Sequence, residues 1–368
     1  MSAEPQPRPT VPEDADQLGP RLADDGDPER AFELGIQLWD QANLDGAEAA
    51  FRRADERGHA GAAFHLGMLL EERGDLTTAV DAYRRSDARG HAGGAFNLGV
   101  LLAQAGHEAQ AEAAYRRAEE RGEDAAAFNL ALLLEERGEL SEAEAAYRRA
   151  DERGHAAAAC NLGLLLDDRG EPTAARAAFR RADNRGDADG AFNLGLVLWE
   201  RGEREGAEAA FRRADERGDG GAATRLGVLL ARRRNRAGAE AAFRRADERG
   251  HAGGTYNLGL LLAERGLDAE AEAAFRRADG RGHGRAACNL GVLLVRRGDP
   301  HGAEAAFRRA DERGHAGGTY NLGRMLALRG DLAAARRLLE RAAASSDERV
   351  TALATEAIDE LRRLEADG

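Results

Sequence analysis

Seven asparagines occupy one repeated position in the sequence, each directly before a leucine. They are Asn97, Asn129, Asn161, Asn193, Asn257, Asn289 and Asn321. An asparagine side chain both donates and accepts hydrogen bonds, which suits the N–H and C=O groups of an extended peptide. The alternative is that asparagine simply belongs to the repeating pattern. The row is therefore a candidate peptide-binding site, with both interpretations open.

A second repeated position, seven residues after the first, is rich in acids. Its occupants are Asp40, Glu72, Gln104, Glu136, Asp168, Glu200, Arg232, Glu264, Arg296 and Leu328. Acids near the end of a helix oppose the helix dipole by roughly a few tenths of a kcal/mol each. Either the arginine that directly follows several of these acids compensates, or a cationic ligand does. In the second case a basic peptide segment would contact Glu72, Glu136 and Asp168.

The seventh repeat departs most from the others. It has Arg225 in place of asparagine, Arg232 in place of an acid and Arg234 in place of a turn glycine. Arg225 and Arg232 are seven residues apart, about 10 Å along one predicted helix face. They are a candidate anchor for a carboxylate or phosphate. The alternative is drift toward arginine on a solvated turn.

Other reactive side chains do not form a catalytic group. Six histidines share one junction position, His59, His91, His155, His251, His283 and His315. Neighbouring equivalents should lie about 10 Å apart, too far to share one metal ion at about 2.1 Å per ligand. We expect them to hydrogen-bond helix ends. With no phosphate loop, metal motif or nucleophile elbow in the sequence, we predict no enzyme activity, cofactor or metal.

The repeating elements that carry these rows are predicted to be helices. One leucine recurs every 32 residues, from Leu34 to Leu322, which gives ten repeats in one register. Alanine follows it by 13 residues, and an aromatic residue follows by 17 in nine repeats. This spacing places the recurring alanine and aromatic residues on one helix face. A glycine such as Gly106 separates two apolar segments, so each repeat is predicted to be helix, tight turn, helix.

The two ends of the chain differ from the repeats. Residues 1–26 hold five of the eight prolines and many acids, and are predicted to be a disordered acidic tail. The array is predicted over 27–345. Residues 346–368 contain an apolar stripe, including Ile358 and Leu361, and are predicted to form a C-terminal capping helix.

Composition restricts the partners. The chain has 368 residues, 43% hydrophobic and 32% charged, with a formal net charge of −13, which argues against nucleic-acid binding. The two cysteines, Cys160 and Cys288, are four repeats apart and are predicted to be reduced core residues. No apolar run is long enough to span a membrane or resembles a signal peptide, so we expect a cytoplasmic protein that does not bind membranes. All 53 cationic residues are arginine, which suggests a G+C-rich bacterial gene.

The repeat resembles the tetratricopeptide repeat in its aromatic-Asn-Leu-Gly segment, turn glycine, alanines and second aromatic. It departs from that family in length, 32 instead of 34 residues, and in having Ala95 and its equivalents where the family has tryptophan. The junction at 53–67, RADERGHAGAAFHLG, is similar to Sel-one-like repeats. The resemblance covers about 28–345. It implies an all-α, right-handed superhelical α-solenoid whose first helices line a concave groove. It also implies that the asparagine row forms hydrogen bonds with the backbone of a bound peptide.

These observations favour a non-catalytic scaffold that binds a partner protein or extended peptide in that groove. The near-identical repeats also permit two other hypotheses. One is a self-associating structural protein, since identical surfaces can pair with each other. The other is a regulatory subunit of a signalling enzyme. The sequence does not identify the partner.

Overall fold

A computed structural model describes the backbone of residues 26–366 and the side chains of 26–363. Over this range the chain forms 21 α-helices and no strand. The helices are α1 (Pro28–Asp40), α2 (Leu44–Glu56), α3 (Ala60–Glu72), α4 (Leu76–Ala88), α5 (Ala92–Gln104), α6 (Glu108–Glu120), α7 (Asp124–Glu136), α8 (Leu140–Glu152), α9 (Ala156–Asp168), α10 (Pro172–Asn184), α11 (Ala188–Glu200), α12 (Arg204–Glu216), α13 (Gly220–Arg232), α14 (Arg236–Glu248), α15 (Ala252–Glu264), α16 (Asp268–Gly280), α17 (Gly284–Arg296), α18 (Pro300–Glu312), α19 (Ala316–Leu328), α20 (Leu332–Ala343) and α21 (Glu348–Ala366).

The helices are paired as the sequence predicts, one hairpin per 32-residue repeat, and the predicted all-α fold is confirmed. The chain divides into an N-terminal region, residues 1–175, and a C-terminal region, residues 176–368. In the N-terminal region, each hairpin from α1/α2 to α7/α8 packs against the next one. In the C-terminal region the same holds from α11/α12 to α19/α20. The predicted tail at 1–26 lies outside the described residues, apart from Gly26.

Both turns of each repeat are defined by local sequence. The first helix typically begins at a capping histidine or aspartate, as where the Nδ1 atom of His91 accepts a hydrogen bond from the Gly94 N–H at 3.1 Å. The turn inside the hairpin contains a residue with positive φ, such as Gly106 at 75°. Ala42 and Arg234 adopt the same left-handed conformation at 57° and 61°, although they carry a Cβ atom. These two turns are strained relative to those with glycine.

Small residues let the two helices of a hairpin approach closely. In α11 and α12, Gly195 faces the ring of Phe211, and a Cβ atom on Gly195 would lie 2.6 Å from that ring. Ala207 and Ala214, on the same face of α12 as Phe211, are fully buried. A glycine faces an aromatic ring in the same way in six other hairpins, at Gly35, Gly67, Gly99, Gly227, Gly259 and Gly291, which explains why these residue types repeat. Ala131 replaces the glycine in α7, and Leu339 replaces the aromatic residue in α20.

Buried ion pairs join successive hairpins. Asp87 at the end of α4 accepts hydrogen bonds from Arg117 at 2.6 Å and Arg121 at 2.6 Å. Arg117 lies on the second helix of the next repeat, and Arg121 directly follows that helix. Although burial opposes its ionisation, these two arginines hold the pKa of Asp87 below its usual value. The same clamp forms in the C-terminal region, where Asp215 accepts hydrogen bonds from Arg245 and Arg249.

A second row of ion pairs lies on the second helices. Glu112 of α6 bonds Arg116 one turn later at 2.7 Å, as the acid-to-arginine spacing predicts. It also bonds Arg137 of the next repeat at 2.5 Å, a contact that the spacing does not reveal. The literal repetition of the charged segments therefore has a structural cause, because the same residues connect one hairpin to the next.

The predicted capping helix is present as α21. It packs on α20 through one apolar cluster that contains Ala335, Leu339, Ala357, Ile358 and Leu361. Asp347 caps its first turn. Its side chain accepts hydrogen bonds from the N–H groups of Arg349 at 3.1 Å and Val350 at 3.2 Å. Within the described residues, no helix combines the length and apolar character that crossing a membrane requires.

Candidate peptide-binding faces

All seven asparagines of the predicted row lie on the first helix of their hairpins, immediately before a buried leucine. Every one of them is half-buried, so each side chain keeps an exposed part. Asn97, Asn129 and Asn161 belong to the N-terminal region. The C-terminal region holds the other four, Asn193, Asn257, Asn289 and Asn321. The structure thus places the row on one side of the first helices, here called the first-helix face.

Two asparagines of the N-terminal region have a fixed orientation. The Nδ2 atom of Asn97 donates to the hydroxyl of Tyr83 at 3.1 Å, and that hydroxyl donates to Glu71 at 2.7 Å. An ionised carboxylate only accepts hydrogen bonds, so the tyrosine proton points to Glu71. The tyrosine oxygen can then only accept, and Asn97 must turn its NH₂ group toward it. No described residue donates a hydrogen bond to the carbonyl oxygen of Asn97.

The same chain of hydrogen bonds recurs two repeats later. Asn161 donates to Tyr147 at 3.2 Å, and Tyr147 donates to Glu135. Burial, followed by the bond to Glu135, raises the pKa of Tyr147, so its hydroxyl stays protonated. In the repeat between them, Ala103 takes the place of the glutamate, and no bond from Tyr115 to Asn129 forms. Burial raises the pKa of Tyr115 to about 12.

The asparagines of the C-terminal region are held differently. Asn289 bonds the hydroxyl of Tyr256, and Asn321 donates to the sulfur of Cys288 at 3.5 Å. The second helices of this region carry Phe179, Phe211, Phe243, Phe275 and Phe307 at the position of Tyr83. Phenylalanine has no hydroxyl, so the tyrosine relay of the N-terminal region cannot form at this position.

The predicted acidic row is exposed at the ends of the first helices. Glu72, Glu136 and Asp168 form no ion pair with any described cation. The arginines that follow them bond acids on other helices instead. Arg73, for example, bonds Glu48 at 2.7 Å. Burial is the main cause that raises the pKa values of Tyr115 and Tyr147, and the negative charge of Glu136 adds to this effect.

The C-terminal region presents a different surface at the sixth and seventh repeats. Arg225 and Arg232, whose seven-residue spacing predicts one helix face, both line a small cavity of about 100 Å³. The Arg232 guanidinium lies 5.7 Å from the centre of the Trp199 ring, and that of Arg204 lies 5.0 Å from it. Sequence analysis finds the two arginines but misses Trp199, whose position holds Trp39 in the first repeat, Val295 in the ninth and an alanine or acid in the others.

The tetratricopeptide repeat model matches residues 32–94, 96–158, 160–223 and 288–349, more than half of the chain. The chain belongs to the tetratricopeptide repeat family. Repeats of this family generally mediate protein–protein interactions and are generally non-catalytic. Comparison with curated proteins finds no match.

Solved structures with a similar fold are tetratricopeptide or Sel1 repeat proteins. A Sel1 repeat protein from Oxalobacter formigenes is 21% identical with a TM-score of 0.50, covering 60% of this chain and 98% of that one. The pilF protein of Pseudomonas aeruginosa is 17% identical with a TM-score of 0.44, covering 53% and 92%. YrrB, a tetratricopeptide protein with an unusual peptide-binding site, is 22% identical with a TM-score of 0.35, covering 45% and 91%. The first likeness supports the fold alone.

The histidines of this tetratricopeptide repeat chain serve its architecture, as their junction position predicts. The Nδ1 atoms of His59, His155 and His283 accept hydrogen bonds from backbone N–H groups at 2.9, 3.2 and 3.2 Å. Their rings stack on an aromatic ring of the preceding repeat, for instance His59 on Phe32 at 4.4 Å. Among the residues that the structure describes, no group of acids, histidines and cysteines could hold a metal.

Sequence analysis misses the tyrosines that orient the asparagine row. Either tyrosine or phenylalanine occupies one core position of each repeat up to the ninth, and a search for any aromatic residue at that position does not distinguish them. The available signal is a paired substitution. Tyr83 and Tyr147 stand in repeats that also carry Glu71 and Glu135, whereas Tyr115 is accompanied by Ala103. A hydroxyl and a carboxylate that appear together at helix-packing positions indicate a buried hydrogen bond.

Proposed function

We propose that the chain is a non-catalytic scaffold whose N-terminal first-helix face binds an extended, basic segment of a partner protein. The observation that carries the proposal is the coexistence of two features on this face. The Asn97 and Asn161 side chains are oriented with their carbonyl oxygens free, and the neighbouring carboxylates form no ion pair within the described residues. Each feature is what a peptide with unpaired backbone N–H groups and cationic side chains requires.

The fixed asparagines define the polarity of recognition. Since the NH₂ groups of Asn97 and Asn161 are occupied by tyrosine, their oxygens accept hydrogen bonds from backbone N–H groups of the partner. Asn129 has no such bond, so it can present either group. The partner segment must therefore be extended, because a helical segment has already used its N–H groups.

The acidic row supplies charge selectivity. Glu72, Glu136 and Asp168 are exposed, so they attract arginine or lysine at long range and release it at high salt. Neighbouring first helices lie roughly 10 Å apart, and an extended chain advances about 3.3 Å per residue. Equivalent contacts should thus recur about every three residues of the bound segment.

Two synthetic peptides of equal composition test this proposal. The first is acetyl-(Arg-Thr-Ser)₄-amide, in which arginine recurs every third residue. The second carries the four arginines in one block. Isothermal titration calorimetry should show at least about fivefold tighter binding of the spaced peptide, with a smaller preference when salt rises from about 50 to about 300 mM. Equal affinities would show that the face reads only net charge.

Substitution of the asparagines tests the row itself. The triple variant Asn97→Ala, Asn129→Ala, Asn161→Ala should weaken binding, since each lost hydrogen bond contributes about 0.5–1.5 kcal/mol. The matched control replaces Asn257, Asn289 and Asn321 with alanine in the C-terminal region, where the affinity for this peptide should not change. If the first variant binds as tightly as the parent, the row is only part of the repeat pattern.

A second candidate function is self-association. Leu328, in the C-terminal region, is 84% exposed, and Val295 is 51% exposed. Large apolar side chains on near-identical repeats can pair with a second copy of the chain. Light scattering over a range of concentrations tests this. A constant monomer mass at high concentration excludes it, and a mass that falls to that of the monomer in Leu328→Gln supports it.

A further inference from the structure

Trp199 lies in a site whose combination of side chains does not recur in the sibling repeats. Trp39 holds its position in the first repeat, but His65 and Glu72 stand there in place of the two arginines. The Trp199 ring, half-buried at the end of α11, forms one wall of the 100 Å³ cavity, together with Leu196, Phe211, Val228 and Leu229. Arg225 and Arg232 of α13 form the polar side of the same cavity. At the position of Trp199, the four repeats that follow have Ala231, Ala263, Val295 and Ala327. The cavity therefore combines an apolar wall with two cations.

The cations of this site are not neutralised by described residues. Arg204, Arg225 and Arg232 form no ion pair there, in contrast to most arginines of the chain. Of the acids nearby in sequence, Glu203 bonds Arg176 at 2.9 Å and Glu208 bonds Arg212 at 2.9 Å. Glu200 and Glu205 are exposed and form no ion pair with these arginines. Two guanidinium groups lining one small cavity repel each other, and a bound anion would remove that repulsion.

The position of Arg232 leaves its hydrogen-bonding edge available. A guanidinium that lies over an indole ring keeps its N–H groups in its own plane, where a carboxylate can accept two of them. Cation–π contact with Trp199 also restricts the arginine side chain before a ligand arrives. Arg225 stands seven residues earlier on the same helix, so a second carboxylate can bind about 10 Å away.

We propose that this pocket binds an acidic peptide segment in which two carboxylate side chains flank one aliphatic side chain. The aliphatic side chain enters the 100 Å³ cavity and contacts Trp199, Val228 and Leu229. The carboxylates bind Arg225 and Arg232. In an extended segment, side chains at positions i, i+2 and i+4 point to the same face, so the carboxylates stand two residues before and two residues after the aliphatic side chain. Their backbone positions are then about 13 Å apart, and the flexible arginine side chains cover the difference from their separation of about 10 Å along the helix. This site does not depend on the binding of a basic segment in the N-terminal region.

Fluorescence of Trp199 provides a direct measurement. The chain has two tryptophans, so the Trp39→Phe variant, checked for native helicity by circular dichroism, reports on Trp199 alone. The probe is acetyl-Asp-Ser-Leu-Ser-Asp-amide, whose leucine and two aspartates lie on one face when the peptide is extended. Two control peptides replace both aspartates with asparagine or the leucine with glycine. We expect a saturable change in emission with the probe, and dissociation constants at least about tenfold higher for each control.

Variants then assign the contacts. Arg225→Asn, which restores the residue of the sibling repeats, and Arg232→Gln should each raise the dissociation constant of the probe at least fivefold. Arg296→Gln, at the position equivalent to Arg232 two repeats later, should leave it unchanged. The proposal is overturned if the folded protein shows no saturable change up to millimolar probe. It is also overturned if the asparagine control binds equally, or if inorganic phosphate alone gives the same change at the same concentration.

Discussion

The N-terminal and C-terminal regions use one scaffold to present opposite chemistry. Asp87 in the first region and Asp215 in the second make the same buried contacts, because each accepts hydrogen bonds from two arginines of the next repeat. The first-helix faces differ, because the first region carries oriented asparagines and exposed acids, and the second carries Trp199 and free arginines. The comparison teaches that packing and surface are specified by separate positions of the repeat, so surface positions can change without loss of the fold.

The largest expected effect comes from the shared scaffold. Asp87→Asn and Asp215→Asn should each lower the free energy of unfolding by about 2 kcal/mol. Each substitution removes the negative charge that neutralises two arginines, and these arginines are too little exposed for water to replace that charge fully. Urea denaturation measures this. The exposed control Asp81→Asn, which loses only a pair with Arg84, should change stability by less than about 0.5 kcal/mol. Unequal losses at Asp87 and Asp215 would refute a common scaffold.

Acidification should destabilise both regions through the capping histidines. Burial lowers the pKa values of His91 in the first region and of His283 and His315 in the second. A lowered folded pKa contributes stability that is present above the unfolded value, about 6.5, and is lost as pH falls through the folded value. The Tm should thus fall between pH 7 and pH 5.

A single replacement isolates this effect. His91→Asp supplies the cap that Asp187 and Asp219 provide natively, whereas a lost cap costs about 1 kcal/mol. Because His283 and His315 still titrate in this variant, its stability should decline over that range of pH, but less than that of the parent. Differential scanning calorimetry of parent and variant at the two pH values makes the comparison. If the Tm of parent and variant falls by the same amount between the two pH values, the pH dependence has another origin.

Strained turns give a smaller effect, one in each region. Ala42→Gly and Arg234→Gly should each raise the free energy of unfolding by about 0.5–1 kcal/mol, because glycine adopts positive φ without steric cost. Thermal unfolding measures the gain. Arg234→Ala keeps the Cβ atom and should gain nothing. A gain in Arg234→Ala equal to that in Arg234→Gly would attribute the effect to charge and not to the backbone.

The smallest expected effect on stability concerns the tyrosine relay. Tyr83→Phe and Tyr147→Phe should change stability by less than about 1 kcal/mol, since phenylalanine occupies this position in other repeats. Each should weaken binding of the arginine-spaced peptide severalfold because the asparagine loses its fixed orientation. Tyr115→Phe removes a hydroxyl with no bond to asparagine or glutamate and should leave the affinity unchanged. Equal effects of all three would exclude orientation as the cause.

Sequence periodicity alone determines the helices, turns and caps of this protein. Their signals are local, since helix faces repeat every 3.6 residues and Gly106 or His91 acts on backbone groups within four residues of itself. Literal repetition then multiplies each signal ten times, so the all-α fold and the rows of asparagines and acids follow from the residues. The role of those rows in binding stays a prediction.

Tertiary structure decides the contacts between residues that are distant in sequence. Asp87 meets Arg117 and Arg121 at separations of 30 and 34, Asn97 meets Tyr83 at 14, and Arg232 approaches Trp199 at 33. The 32-residue repeat does not reveal which residues pair, because most repeats contain both types of partner. The sequence alone does not show whether two such residues pair within one hairpin or between successive hairpins. Only packing of one hairpin on another selects between these possibilities, and it thereby determines which charges are buried in the scaffold and which are left for a partner.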